Sequence, residues 1–250
     1  MEEAAGRQVR AHVLAGRRPP LEGRHASRRL CAARLLARHR PNRRFCPSCG
    51  GRRMAETAMH LADEVLPAVP LRQWVLSFPY SVRFHLAYDA KLCAAVRRIF
   101  VRALLAWHAA RAERAGVARG HSGAVVVAQR FGSALNLNLH FHALVLDGVY
   151  ASADPCTRPA FHPAEAPSDG NVAERVALLQ RRVLRYLARS SRLRRAAEEI
   201  EQPEPPPEPT EPLLALPGQL CASLDGFSLH AKVALEADDH DGRERLCRYL

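Results

Sequence analysis

From Asn136 to Asp147 the chain reads Asn-Leu-Asn-Leu-His-Phe-His-Ala-Leu-Val-Leu-Asp. Successive side chains of an extended strand point to opposite faces. Asn136, Asn138, His140 and His142 therefore share one side, while Leu137, Leu139, Phe141, Ala143 and Val145 share the other. The pattern predicts a strand with one buried and one wet face. Two residues apart on a strand, His140 and His142 would have α-carbons roughly 6.5–7 Å apart, close enough for both rings to converge on one divalent ion. Two histidines on a hydrated sheet face are the other reading, and so short a pattern does not separate the two.

The flanking sequence supplies partners for this strand. Gly123 to Gln129 is a β-branched run, and the short Arg130–Leu135 segment with Gly132 is compatible with a hairpin. Gln129, near the end of that run, is a candidate third metal ligand because amide oxygens suit hard cations; an ordinary strand-end glutamine is the alternative. Trp74, Leu76 and Phe78 alternate with Gln73, Val75 and Ser77 before Pro79, which predicts another strand. Helical spacing of apolar residues predicts helices over 53–65, 87–114 and 172–187. Phe227 to Leu235 reads as a strand carrying His230 and Lys232 on its polar side, followed by a last helix that Asp238, Asp239 or Asp241 can cap.

Residues 1–44 are rich in arginine and alanine and interrupted by Pro19, Pro20 and Pro41, which predicts a basic amino-terminal arm. Residues 45–66 form a partial knuckle and helix, and 67–250 a larger sheet domain. The acidic, proline-rich stretch at 201–217 cannot build a core and reads as a linker or insertion within it. The expected fold is α+β: a mostly antiparallel, ferredoxin-like sheet with helices on one face, preceded by a small zinc-knuckle-like segment.

The charge balance points to a partner. Against 25 acidic residues stand 37 basic ones, a net +12, which suits a polyanion such as nucleic acid. The seven cysteines are too dispersed for a disulfide scaffold, so a reducing, cytoplasmic setting is expected. No apolar run approaches the roughly 18 residues of a membrane span, and no membrane partner is expected. Cys46-Pro47-Ser48-Cys49-Gly50-Gly51 has the spacing with which two thiolates grip one zinc. That is half a tetrahedron, which Cys31, His25 or His39 can complete; two reduced cysteines in a loop are the alternative.

Several of these stretches together resemble the rolling-circle insertion-sequence transposases of the HUH (His-hydrophobe-His) tyrosine endonuclease superfamily. The resemblance rests on Gln129 to His142, on Leu146-Asp147-Gly148-Val149, on Phe45 to Ala58, on Arg72 to Pro79 and on Leu224 to Ala231. It implies a bacterial, DNA-associated protein acting on single-stranded DNA at insertion-sequence ends, with zinc at the amino-terminal cysteines. It also implies magnesium or manganese at His140 and His142, although two histidines suit zinc as well. His230 is then a further candidate for third ligand or for a base near the phosphate, or a purely structural residue.

In that family a tyrosine on the last helix attacks DNA, often as one of a pair four residues apart. Tyr249 matches the second position and Arg245 occupies the first. Tyr80, Tyr88, Tyr150 and Tyr186 compete for the role on sequence grounds. The implied reaction is cleavage and rejoining of DNA through a 5′-phosphotyrosine. Because the chain stops at Leu250 and an upstream Cys-x-x-Cys pair is missing, a truncated copy that binds DNA without strand transfer is the alternative expectation. Oligomeric state is not legible in the sequence.

Overall fold

The computed structural model describes residues 12–13, 47–131, 136–152, 157–189 and 218–248. The chain divides into two compact units. Met1–Leu14 with Val69–Asp238 form one, and Ala15–Ala68 with Asp239–Leu250 the other.

The first unit is built on an antiparallel sheet. Its strands are β1 (His12–Val13), β2 (Leu71–Ser77), β3 (Ala124–Phe131), β4 (Leu137–Leu146), β7 (Cys221–Leu224), β8 (Phe227–His230) and β9 (Ala234–Leu235), in the order β1-β3-β4-β2-β8-β7, with β9 also on β2. β5 (Gly148–Ala151) and β6 (Ala160–Pro163) form a separate pair. Helices α2 (Tyr80–Tyr88) and α3 (Ala90–Arg114) connect β2 to β3, and α4 (Asp169–Arg189) precedes the β7–β8 hairpin. Taken in chain order, β2, β3, β4 and β8 lie in space as β3-β4-β2-β8. This is the ferredoxin-like arrangement of two split βαβ units, as the alternating strands and helices predict.

One face of this sheet is apolar and carries the core. Trp74, Leu76, Leu139, Phe141, Ala143, Val145, Phe227 and Leu229 are buried against Val96, Phe100 and Leu104 of α3 and Val172, Val176, Leu179 and Val183 of α4. Aromatic edges knit the strands together: Phe78 lies 5.1 Å from Phe141 and 5.8 Å from Phe227, and Trp74 lies 5.5 Å from Trp107 of α3. Such edge-on pairs place a positive ring rim against a negative face and add to simple burial.

A buried ion pair fixes one end of the sheet. Arg72 of β2 sets Nη2 2.6 Å and Nε 2.9 Å from Asp147 Oδ2 just after β4, while its Nη1 donates to the Ala231 carbonyl at 3.0 Å. Three chain segments are thereby tied at one point. Asp225-Gly226 closes β7–β8 with φ of 47° and 75°, the left-handed pair that a two-residue type I′ hairpin requires. Gly148 is needed for another reason, since a Cβ there would lie 2.3 Å from the His162 carbonyl oxygen on β6.

Several local expectations change. The helix predicted over 87–114 is two helices, because the Asp89 carboxylate accepts from the amides of Lys91 and Leu92 at 2.8 and 2.9 Å and starts α3 anew. Around Tyr150 a hairpin forms that the sequence does not predict, β5 pairing with β6; such short strands carry too little periodicity to stand out. The strand expected over 227–235 breaks after His230, and its hairpin partner β7 had no clear pattern of its own.

In the second unit α1 (Pro47–His60) runs into a π-helical turn at Leu61–Val65, and α5 (His240–Arg248) packs beside both. Asp239 caps α5 by accepting from Gly242 N at 2.8 Å, and His240 Nε2 lies 2.9 Å from Asp63 Oδ1. Residues 201–217 and Tyr249 lie outside the described residues. Among the described residues no helix is long and apolar enough to cross a membrane.

Candidate active site

The face of the sheet opposite the core carries the two histidines. On β4 their ring centroids are 4.8 Å apart with planes inclined at 58°. Their surroundings differ. His140 lies between Gln129 of β3 and Ser77 of β2, whereas His142 lies between Val127 and Val75. The inner ring is thus walled by apolar side chains and the outer ring by polar ones. Burial first, and the neighbouring His140 second, push the His142 imidazole down to about 4, so it is neutral at pH 7.

Hydrogen bonds orient both rings. His140 Nδ1 donates to the Asn138 carbonyl, which in the neutral ring leaves the lone pair on Nε2. The side chain of Asn138 is itself held, its Oδ1 accepting from Arg83 Nη1 at 2.9 Å. His142 Nδ1 is 3.1 Å from the amide of Gln73, a buried residue diagonal to it on β2. His142 Nε2 is buried with no hydrogen-bond partner among the described residues. A proton on that nitrogen would be stranded. If the Gln73 amide presents its oxygen to Nδ1–H, an orientation equivalent at the level of atomic positions, Nε2 instead carries a lone pair. A ring N–H donated to a carbonyl is the usual support of a metal-binding histidine, and this donor set fits a divalent cation.

Gln129 is the direct cross-strand neighbour of His140. His230 is set apart. It pairs with Val75 on the far side of β2, two strands from His142 or roughly 10 Å in the sheet. Its Nε2 lies 3.5 Å from Cys221 Sγ, and burial lowers its pKa. Among the described residues no three His, Cys, Asp or Glu side chains are grouped to hold a metal ion.

The competing tyrosines are scattered. Tyr80 opens α2 three residues after Ser77, the cross-strand neighbour of His140. Tyr88 is 73% exposed and leans on Phe84, and Tyr150 meets Phe161 edge-on in the β5–β6 pair. Tyr186 faces solvent from α4, on the core side of the sheet, away from the histidines. Sequence reasoning missed Gln73 and Arg83 as supports of the site. Gln73 had a signal, a polar residue at a buried strand position, but its diagonal contact with His142 depends on register.

Residues 123–250 match the Y2_Tnp transposase family model, and residues 3–78 match that of the transposase zinc-binding domain of the IS91 type. The chain belongs to this transposase family. Searches of curated proteins and of solved structures returned no match. The matches cover the histidine strand and the amino-terminal cysteines, so DNA is the partner of this transposase and a zinc-binding domain forms part of it. Cys31 and Cys46 lie outside the described residues, and Cys49 falls in the first turn of α1.

Proposed function

We propose that this transposase cuts and rejoins single-stranded DNA at insertion-sequence ends through a covalent 5′-phosphotyrosine, with a divalent cation at His140 and His142. The observation that carries the reading is the orphaned, buried Nε2 of His142 beside the Nδ1-anchored ring of His140. Magnesium or manganese would be held by the two ring nitrogens, with Gln129, water or a phosphate oxygen completing the shell. Bound there, the cation supplies Lewis-acid polarisation of a non-bridging phosphate oxygen.

Tyr249 is the nucleophile in this reading, directly after the last described residue of α5. Its phenol oxygen attacks phosphorus and gives its proton to solvent, the P–O3′ bond breaks, and the leaving oxygen takes a proton from solvent to become a free 3′-hydroxyl. The phosphodiester energy stays in the tyrosyl ester, so a second 3′-hydroxyl can reverse the step without ATP. His230 is a structural partner of Cys221 in this scheme and touches neither reacting atom. Cys31, Cys46 and Cys49 would hold zinc in the amino-terminal domain.

The test is incubation with a labelled single-stranded end oligonucleotide and manganese. A protein–DNA adduct that survives boiling in detergent is expected, lost in Tyr249→Phe and kept in Tyr186→Phe and Tyr80→Phe. No adduct under any divalent ion would leave a DNA-binding protein without strand transfer.

A further inference from the structure

The helical layer on the core side of the sheet presents a second charged surface. On α4 the buried stripe is Val172, Val176, Leu179, Val183 and Leu187. At 100° per residue, Arg181, Arg182, Arg185 and Arg189 fall together on the other side of the helix. All four are exposed, and none makes an ion pair or hydrogen bond among the described residues. Beyond its first turn, α4 carries one acidic residue, Glu174, which faces Arg175 at 3.5 Å. Neighbouring α3 adds exposed Arg98 and Arg102.

Such a row is costly in the free protein. Arg181–Arg185 and Arg185–Arg189 are like charges four residues apart, a spacing that destabilises a helix. The helix dipole favours cations only within the last turn, which accounts for Arg189 but not for Arg181, Arg182 and Arg185. A polyanion laid along the helix removes the repulsion. From Arg181 to Arg189 the axis advances about 12 Å, a length over which one strand of a duplex presents about four phosphates.

We infer that the exposed arginine face of α4 binds the phosphate backbone of duplex DNA, on the opposite side of the sheet from the histidine pair. Duplex fits better than single strand because a single-strand groove interleaves charge with several aromatic platforms, and Tyr186, 39% exposed, is the one exposed aromatic on α4. Contacts of this kind position DNA without reading its bases. The transposase would then hold a duplex flank on its helices while the strand to be cut lies across the sheet.

The experiment is fluorescence anisotropy of the full chain with a random-sequence duplex, and with one of its strands, across a salt series. The variant replaces Arg181, Arg182, Arg185 and Arg189 with Gln, and a second variant places Lys at the same four positions. For Gln, the log-affinity against log-salt slope for duplex should become shallower by about 0.9 per lost contact, or roughly 3–4 for the set. Duplex affinity should fall more than tenfold while single-strand affinity is kept. The Lys variant should keep the wild-type slope, which separates charge from helix stability. An unchanged duplex slope in the Gln variant, or an equal loss for duplex and single strand, overturns the inference. The strand-cleavage assay above fails or succeeds independently of this outcome.

Discussion

His142 and His108 are both pushed down to about 4, yet they occupy opposite kinds of place. His108 lies on α3, 1% exposed, with neither ring nitrogen hydrogen-bonded among the described residues; burial lowers it first, then the charges of Arg111 and Arg72. His142 has one nitrogen oriented by Gln73, the other bare beside a second imidazole, and a partly open face. A depressed imidazole pKa therefore marks desolvation. What distinguishes a site is a lone pair aimed at a spot that a second donor shares.

The largest expected contrast is in metal binding. His142→Ala should weaken manganese binding, followed by calorimetry, by more than the roughly 10–100-fold that loss of an outer-shell partner costs. His108→Leu should leave it unchanged, and a loss there would erase the distinction.

Next comes the ion pair beside His108. Arg72→Met leaves Asp147 buried without its counter-charge, which costs about 3–5 kcal/mol in urea unfolding at neutral pH. A loss under 1 kcal/mol, the level typical of exposed pairs, would mean that water reaches the pair and that His108 is less enclosed than its burial indicates.

Acid should then expose the cost of keeping His108 buried and neutral. Between 6.5 and about 4 the unfolded chain binds a proton that folded His108 refuses. Stability is thus complete above 6.5 and falls as pH drops, by on the order of 3 kcal/mol for a shift of this size. His108→Leu should flatten that part of the profile. If the slope persists undiminished, it comes from other groups.

The smallest effect belongs to Gln73. Gln73→Ala should lower manganese affinity about 10–100-fold, while Gln73→Glu, whose carboxylate can accept from His142 Nδ1–H, retains most of it. Equal losses in both would show that shape rather than the hydrogen bond supports the ring.

Much of this was legible in the residues themselves. The alternation from Asn136 to Val145 placed the histidines on the polar face and Phe141 in the core, because strand side chains alternate whatever lies around them. The hairpin at Asp225-Gly226 was not read, although its left-handed φ values of 47° and 75° are a local property of the kind glycine permits, because Cys221–Leu224 before it carries no strand pattern. The break at Asp89 was harder to see, since apolar spacing runs almost unbroken through it and only the cap separates α2 from α3. The purpose of Arg72 and Asp147, 75 residues apart, was invisible until the fold joined them.

By itself, the sequence determined which residues lie on which side of its strongly periodic strands and helices, the net positive charge and the family. Only the tertiary structure decided that Val127 and Val75 flank His142 while Gln129 and Ser77 flank His140, that Gln73 orients the inner ring, and that His230 stands beyond β2. Periodicity is a property of one segment, whereas register and strand order arise from the simultaneous packing of all of them.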